Sequence, residues 1–186
     1  MLAADRRAER REATRRQILD AAWELVRAEG LAGLSLRDLA TRVGMQAPSL
    51  YAYFDAKHAI YDAMFRQGFE AFLERMRDVT ELVPAAEAFM DFCTEDPARY
   101  QLLFQRTIPG FEPTPEAYAP SVEALALGRE RLAAAGITSP EAIDVYTALV
   151  TGLVDQQISN DPGGDRWRRL IPDAMQMFTN HFGGKR

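Results

Sequence analysis

Apolar residues along this chain recur at intervals of three and four, and no segment alternates with the period of two that a half-buried strand requires. The pattern predicts helices throughout. Thr14 with Gln17 three residues on is a capping-box pair, and Ile18, Ala22, Leu25 and Val26 then form one apolar face that Gly30 and Gly33 close. Leu36, Leu39, Ala40 and Val43 fall on one face of a second, short helix, with Ser35 and Asp38 as its cap pair and Gly44 as its stop. A third element, Gln46 to Phe54, begins almost at once. Asp55 caps a longer helix running to about Arg77, with Ile60, Met64, Phe65, Phe69, Phe72 and Met76 along it.

Further on, the starts are marked by a capping residue before a proline: Asp96-Pro97, Thr114-Pro115 and Ser139-Pro140. Proline at the first helical position costs nothing, because its missing N–H has no partner there. Pro84 opens a helix through Thr94, and Thr107–Pro113 reads as a loop. A helix over 115–135 places Val122, Leu125 and Leu132 in register and ends at Gly136. Glu141–Ser159 carries a wide stripe of Val145, Tyr146, Leu149, Val150, Leu153 and Val154. After the Asp161-Pro162-Gly163-Gly164 turn, a last helix from about Asp165 to Phe182 aligns Trp167, Leu170, Ile171, Ala174 and Phe178, with Pro172 delaying or kinking it. The sum is about nine helices and no strand.

The second and third helices, separated by a glycine turn, have the spacing of a helix-turn-helix, whose second helix enters the DNA major groove. Charge bears on that reading. The whole chain carries a net charge of −5, yet residues 1–58 hold ten Arg or Lys against eight Asp or Glu, while the remainder holds twelve against nineteen. In the N-terminal tail Arg6, Arg7, Arg10, Arg11, Arg15 and Arg16 face only Asp5, Glu9 and Glu12. A basic end on an acidic body fits a nucleic-acid contact joined to something else. Residues 1–13 have no apolar periodicity and are expected to form a flexible basic tail.

Gln46 can read adenine with two hydrogen bonds, Arg37 can read guanine, and the Ala47 methyl suits thymine. Tyrosine hydroxyls and Lys57 can grip phosphates. Tyr51 and Tyr53 lie two apart and cannot share a helix face, so one should pack and the other, Tyr51, should face the backbone of DNA. Leu50 and Phe54, four apart, belong to the core.

The segment ILDAAWELVRAEGLAGLSLRDLATRVGMQAPSLYAYFDAKHAIYDAMF, Ile18 to Phe65, resembles the N-terminal domain of the tetracycline-repressor (TetR) family. The specific features are the glycine after the first helix, the Leu-Arg-Asp-Leu-Ala run, and Ser-Leu-Tyr-x-Tyr-Phe followed by x-x-Lys. The resemblance implies an all-α protein: a three-helix DNA-binding domain over 1–58 joined to a larger helical ligand-binding and dimerisation domain over 59–186. It implies a homodimer on a double-stranded palindromic operator, commonly a repressor released by a small apolar effector; the single cysteine and the lack of a span or signal pattern make a cytoplasmic location the default expectation. Base contacts would come from Arg37, Gln46, Ala47 and Ser49, and phosphate contacts from Tyr51, Tyr53 and Lys57. A DNA-binding dimer without a small-molecule effector is the alternative.

In the larger domain the expected pocket residues are Phe69, Phe89, Tyr100, Phe104 and Tyr118, with Gln101, Gln105 or Glu123 as polar selectors. The expected dimer interface is Leu149, Val150, Leu153, Ala174 and Phe178, because the last two stripes are wider than one bundle needs. Two histidines and one cysteine leave no plausible metal set, no catalytic constellation is present, and no cofactor is expected. Cys93, beside Phe89 and Phe92 on an apolar face, reads as a buried structural thiol. No apolar run reaches the length of a membrane span, and the arginine-rich start lacks the apolar core of a secretory signal.

Overall fold

The structure, a computed structural model, describes residues 2–183, with side chains from Arg6 onward. Among the described residues there are nine α-helices and no strand: α1 (Leu2–Glu29), α2 (Leu36–Arg42), α3 (Ala47–Leu50), α4 (Lys57–Met76), α5 (Leu82–Glu95), α6 (Pro97–Phe104), α7 (Pro115–Ala134), α8 (Ala142–Asn160) and α9 (Ile171–Phe182). The protein is all-α, a helix-turn-helix domain with a further helical domain. Backbone contacts divide it into two compact units. The first comprises the residues up to Gly68 with Gln101–Tyr118, and the second Phe69–Tyr100 with the residues from Ala119 on. The expected boundary after residue 58 lies within the first unit, because α4 is continuous and 101–118 pack with its opening turns.

Several local signals are realised as expected. Asp96 Oδ1 accepts from the Arg99 amide at 3.1 Å, and Thr114 Oγ1 accepts from the Ala117 amide at 3.3 Å, capping α6 and α7. Gly30 and Gly136 end their helices with φ of +77°, a conformation open to glycine at no steric cost. Pro172 sits in the first turn of α9 after a 3-10 turn at Arg168–Leu170, so the proline delays the regular helix rather than kinking it.

One expectation is corrected. The basic segment 1–13 was expected to be flexible, but α1 begins at Leu2. Its alanines, arginines and glutamates are strong helix formers, and Glu12 with Arg16 is an i,i+4 pair of opposite charge in the favourable orientation. Propensity extends the helix where no apolar face requires it. On α7, Val122 and Leu125 are exposed, and only Leu132 of the three aligned residues is buried.

The core of the first unit is built on Ile18, Ala22, Leu25 and Val26 of α1, against Leu39 and Ala40 of α2, Leu50 of α3, and Ile60 and Met64 of α4. The second unit packs α5, α8 and α9 on one another. Its centre is aromatic: Phe72 meets Phe69, Phe89 and Phe92 edge-on at centroid distances of 6.3, 5.9 and 5.2 Å. Arg131 is also buried, and its guanidinium donates to the Val79 carbonyl at 2.6 Å and to the Met76 carbonyl. Both carbonyls lie at or just beyond the C-terminus of α4, where a cation suits the helix dipole; Met76 O accepts from the Val79 amide as well, at 3.2 Å. Cys93 is fully buried, and burial pushes its thiol pKa up, which makes it inert.

Candidate nucleic-acid interface

The turn between α2 and α3 is fixed by local chemistry. Ser35 is extended, and its Oγ accepts from the Asp38 amide at 3.4 Å to start α2. At the other end Gly44 takes φ +67°, while the Met45 amide reaches back to the Ala40 carbonyl at 2.8 Å and the Gly44 amide to Thr41 at 3.1 Å. Those bonds close α2 and reverse the chain. Pro48 falls in the first turn of α3, where it needs no donor.

The expected recognition helix over Gln46–Tyr53 is shorter in its regular part. Ala47–Leu50 is α-helical, and the chain then continues in turns, with the Ala52 amide on Ser49 and the Tyr53 amide on Leu50, both i to i−3. Leu50 and Phe54 are buried, and α3 packs on α2. With those two pointing inward, Gln46, Pro48, Ser49 and Tyr51 are left exposed, and Ala47 half-buried. Arg37 is exposed on α2. Tyr51 is 54% exposed and Tyr53 half-buried, the division between packed and outward tyrosine that their spacing required. Lys57 is half-buried at the start of α4, with Nζ 3.5 Å from the Ala32 carbonyl and 5.5 Å from the Tyr61 ring centre.

The sequence reading missed how α1 braces this surface. The Arg15 guanidinium lies 4.2 Å from the Phe54 ring centre and donates to the Tyr53 carbonyl, and Arg11 lies 5.4 Å from the Tyr53 ring centre. Two arginines four apart on one helix face therefore hold the end of the recognition element. That spacing is the signal the sequence offers, masked because Arg11 and Arg15 sit in a run of six arginines. Tyr61 adds a second brace. Its buried hydroxyl donates to the Leu31 carbonyl in the turn between α1 and α2, and burial raises its pKa to about 12.

The expected effector residues do not converge on one cavity. Phe69 and Phe89 belong to the edge-on cluster around Phe72, and Tyr100 is buried with its hydroxyl on Asp155 Oδ1 at 2.9 Å. Phe104 and Tyr118, with Gln105, line a cleft of about 500 Å³ in the first unit. Gln101 and Glu123 are exposed and outside that lining. Of the expected interface residues, Val150, Ala174 and Phe178 are buried by the chain's own packing, while Leu149 and Leu153 are half-buried. The apolar groups left outward on these helices are Val145 on α8 and Met177 on α9, the latter 72% exposed.

A buried anchor pair, a glycine reversal and a row of outward polar side chains on the second short helix define a helix-turn-helix DNA-binding protein. Residues 18–64 match the model of the bacterial regulatory proteins of the tetR family. Over these residues the chain carries the helix-turn-helix segment of the TetR family of transcriptional regulators. It is 33% identical over 95 residues to the HTH-type transcriptional regulator YobS of Bacillus subtilis, covering 47% of this chain and 50% of that protein, so the match spans about half the relative's length. Among solved structures, the regulatory protein SCO4313 superposes with a TM-score of 0.80 at 21% identity over 93% of this chain and 98% of its own. AibR, solved in complex with isovaleryl coenzyme A and operator DNA, does so at 0.61 with 21% identity, over 90% and 97%. At these identities the likeness concerns the fold. No described helix is long and apolar enough to cross a membrane.

Proposed function

We propose that this protein is a cytoplasmic, effector-responsive regulator that binds a palindromic operator as a homodimer, acting as a repressor released by a small apolar molecule. The observation that carries the reading is the outward set on one small domain: Arg37 on α2, and Gln46, Ala47, Ser49 and Tyr51 on the element that Leu50 and Phe54 anchor. In this proposal Arg37, Gln46, Ala47 and Ser49 meet base edges, and Tyr51, Tyr53 and Lys57 meet phosphates. The functional division falls near residue 58, with α4 leading into the regulatory part. The effector half of the reading is supported by the cleft at Phe104 and Tyr118, and by AibR, a fold relative solved with an acyl coenzyme A and DNA.

Dimerisation would provide two reading heads about one DNA turn apart, which a palindrome needs. Exposed Val145 and Met177, with half-buried Leu149 and Leu153, are the residues that can meet a second copy. Selection of binding sites from a random double-stranded DNA pool tests the reading. Enrichment of an inverted repeat, bound by a species with the light-scattering mass of a dimer, is the expected result. Retention of DNA without any sequence enrichment overturns it. Val145→Asp with Met177→Asp should keep the helical signal while lowering the mass to that of a monomer.

A further inference from the structure

The cleft of about 500 Å³ lies within the size range of small-molecule sites, roughly 300–1,000 Å³. Its walls are α4, α6, the irregular strap from Gln105 to Thr114 that leads into α7, and Tyr118 in the first turn of α7. One edge is closed by the approach of α6 to α4 at Gly68, where a Cβ would stand 2.8 Å from Leu103 Cδ2. Within the cleft Phe65 and Tyr118 present nearly parallel rings, 14° apart in plane with centroids at 6.2 Å, and Phe104 and Phe111 add two more aromatic groups. The two charged groups in the lining, Arg106 and Glu112, are exposed and pair with each other at 2.9 Å, so the lining carries no net charge. Flat aromatic walls without net charge match a flat, neutral, aromatic molecule, because stacking rewards planarity and an ionised ligand would find no unpaired counter-charge.

The same strap holds the start of α4. Phe111 packs against Tyr61 and His58 at centroid distances of 5.7 and 5.8 Å. The Asp62 carboxylate accepts from the Thr114 amide at 2.6 Å and from its hydroxyl at 2.8 Å. Tyr61 in turn donates to the Leu31 carbonyl between α1 and α2. Phe111 therefore lines the cleft on one side and supports the Tyr61 brace on the other. A molecule that enters beneath the strap competes with α4 for Phe111.

We infer that this cleft is the effector site, that it takes a neutral planar aromatic compound, and that the strap conveys occupancy to the helix-turn-helix through Phe111 and the Asp62–Thr114 contact. The inference rests on the effector-responsive reading above and supplies its ligand class and route. A disturbed strap loosens the Tyr61 brace, and operator affinity falls.

Nile red, neutral, planar and fluorescent on leaving water, is a suitable probe. Saturable binding at one molecule per chain is expected, weakened about 5- to 10-fold by Tyr118→Ala, the size of one lost aromatic pair, and restored by Tyr118→Phe. Bound probe should lower affinity for the selected operator, and Asp62→Asn should bind probe while transmitting less of that effect. Thermal midpoints identify any variant that fails to fold. Because Tyr118 is 51% exposed, its truncation should leave the fold intact. Binding unaffected by Tyr118→Ala, or bound probe with unchanged operator affinity, overturns the inference. Stabilisation by stearoyl coenzyme A but not by the probe overturns the ligand class while leaving an effector-responsive regulator standing. A protein that no compound in a broad apolar library stabilises overturns both readings.

Discussion

The two compact units differ in what holds them. In the first, α2 and α3 are specified by near neighbours: Ser35 caps within three residues, Gly44 reverses the chain, and Leu50 and Phe54 lie one turn apart. In the second, Phe72 finds its partners Phe89 and Phe92 on a different helix, and Arg131 caps carbonyls more than fifty residues away. The first unit spends its outward positions on polar side chains that can touch DNA. Val122, Leu125, Val145 and Met177 of the second leave apolar groups outward. Local specification suits a surface whose residues must keep fixed spacing. Long-range packing suits a bundle whose interior can vary as long as it stays filled.

The largest effect that tests this contrast is in the second unit. Phe72→Ala removes the ring shared by three edge-on contacts and should cost about 3–5 kcal/mol, read from urea denaturation of purified protein. A loss below about 1 kcal/mol would mean the aromatic cluster is not the keystone described.

A functional contrast of intermediate size belongs to the first unit. Arg37→Ala should weaken the selected operator by about 1–3 kcal/mol and relax preference at one base pair, while Lys57→Ala should weaken all sequences alike and reduce the salt slope by about one. Fluorescence anisotropy on operator and scrambled duplexes across a salt series separates the two. Equal losses on both duplexes for both variants would remove Arg37 from base reading.

Each unit also has a tyrosine whose pKa burial raises to about 12, Tyr61 in the first and Tyr146 in the second, where Arg131 partly opposes the rise. The folded values lie above the ordinary 10.0, so the folded state holds these protons longer. Their stabilisation is complete below pH 10 and is lost as pH rises toward 12. Denaturation midpoints at increasing pH should fall across that window, less steeply in Tyr61→Phe and in Tyr146→Phe. An unchanged slope in either variant would clear that tyrosine of the effect.

The smallest expected effect is at the α1 brace. Arg11→Ala removes a half-exposed cation–aromatic contact and should change stability by only about 0.5–1 kcal/mol. Operator affinity should fall more than that, since the arginine both supports Tyr53 and adds positive charge near the DNA face. Anisotropy and thermal melting on the same preparation compare the two directly.

The sequence by itself determined most of the elements and the outward face proposed to read DNA. Caps, glycine reversals and apolar spacing act within one or two turns, so Ser35, Gly44, Leu50 and Phe54 announce their roles without knowledge of the rest. Tertiary structure decided which apolar side chains would be consumed inside the chain. Val150, Ala174 and Phe178 carry the same periodic signal as Val145 and Met177, and nothing local distinguishes the side that meets a neighbouring helix from the side left outward. The same holds for the pocket residues. Phe69, Phe89, Tyr100, Phe104 and Tyr118 look alike in sequence, but only the fold assigns the first two to an aromatic core, the third to Asp155 and the last two to a cleft. Burial is set by the sum of all helix packings, and a pattern with a period of a few residues carries no information about partners fifty residues away.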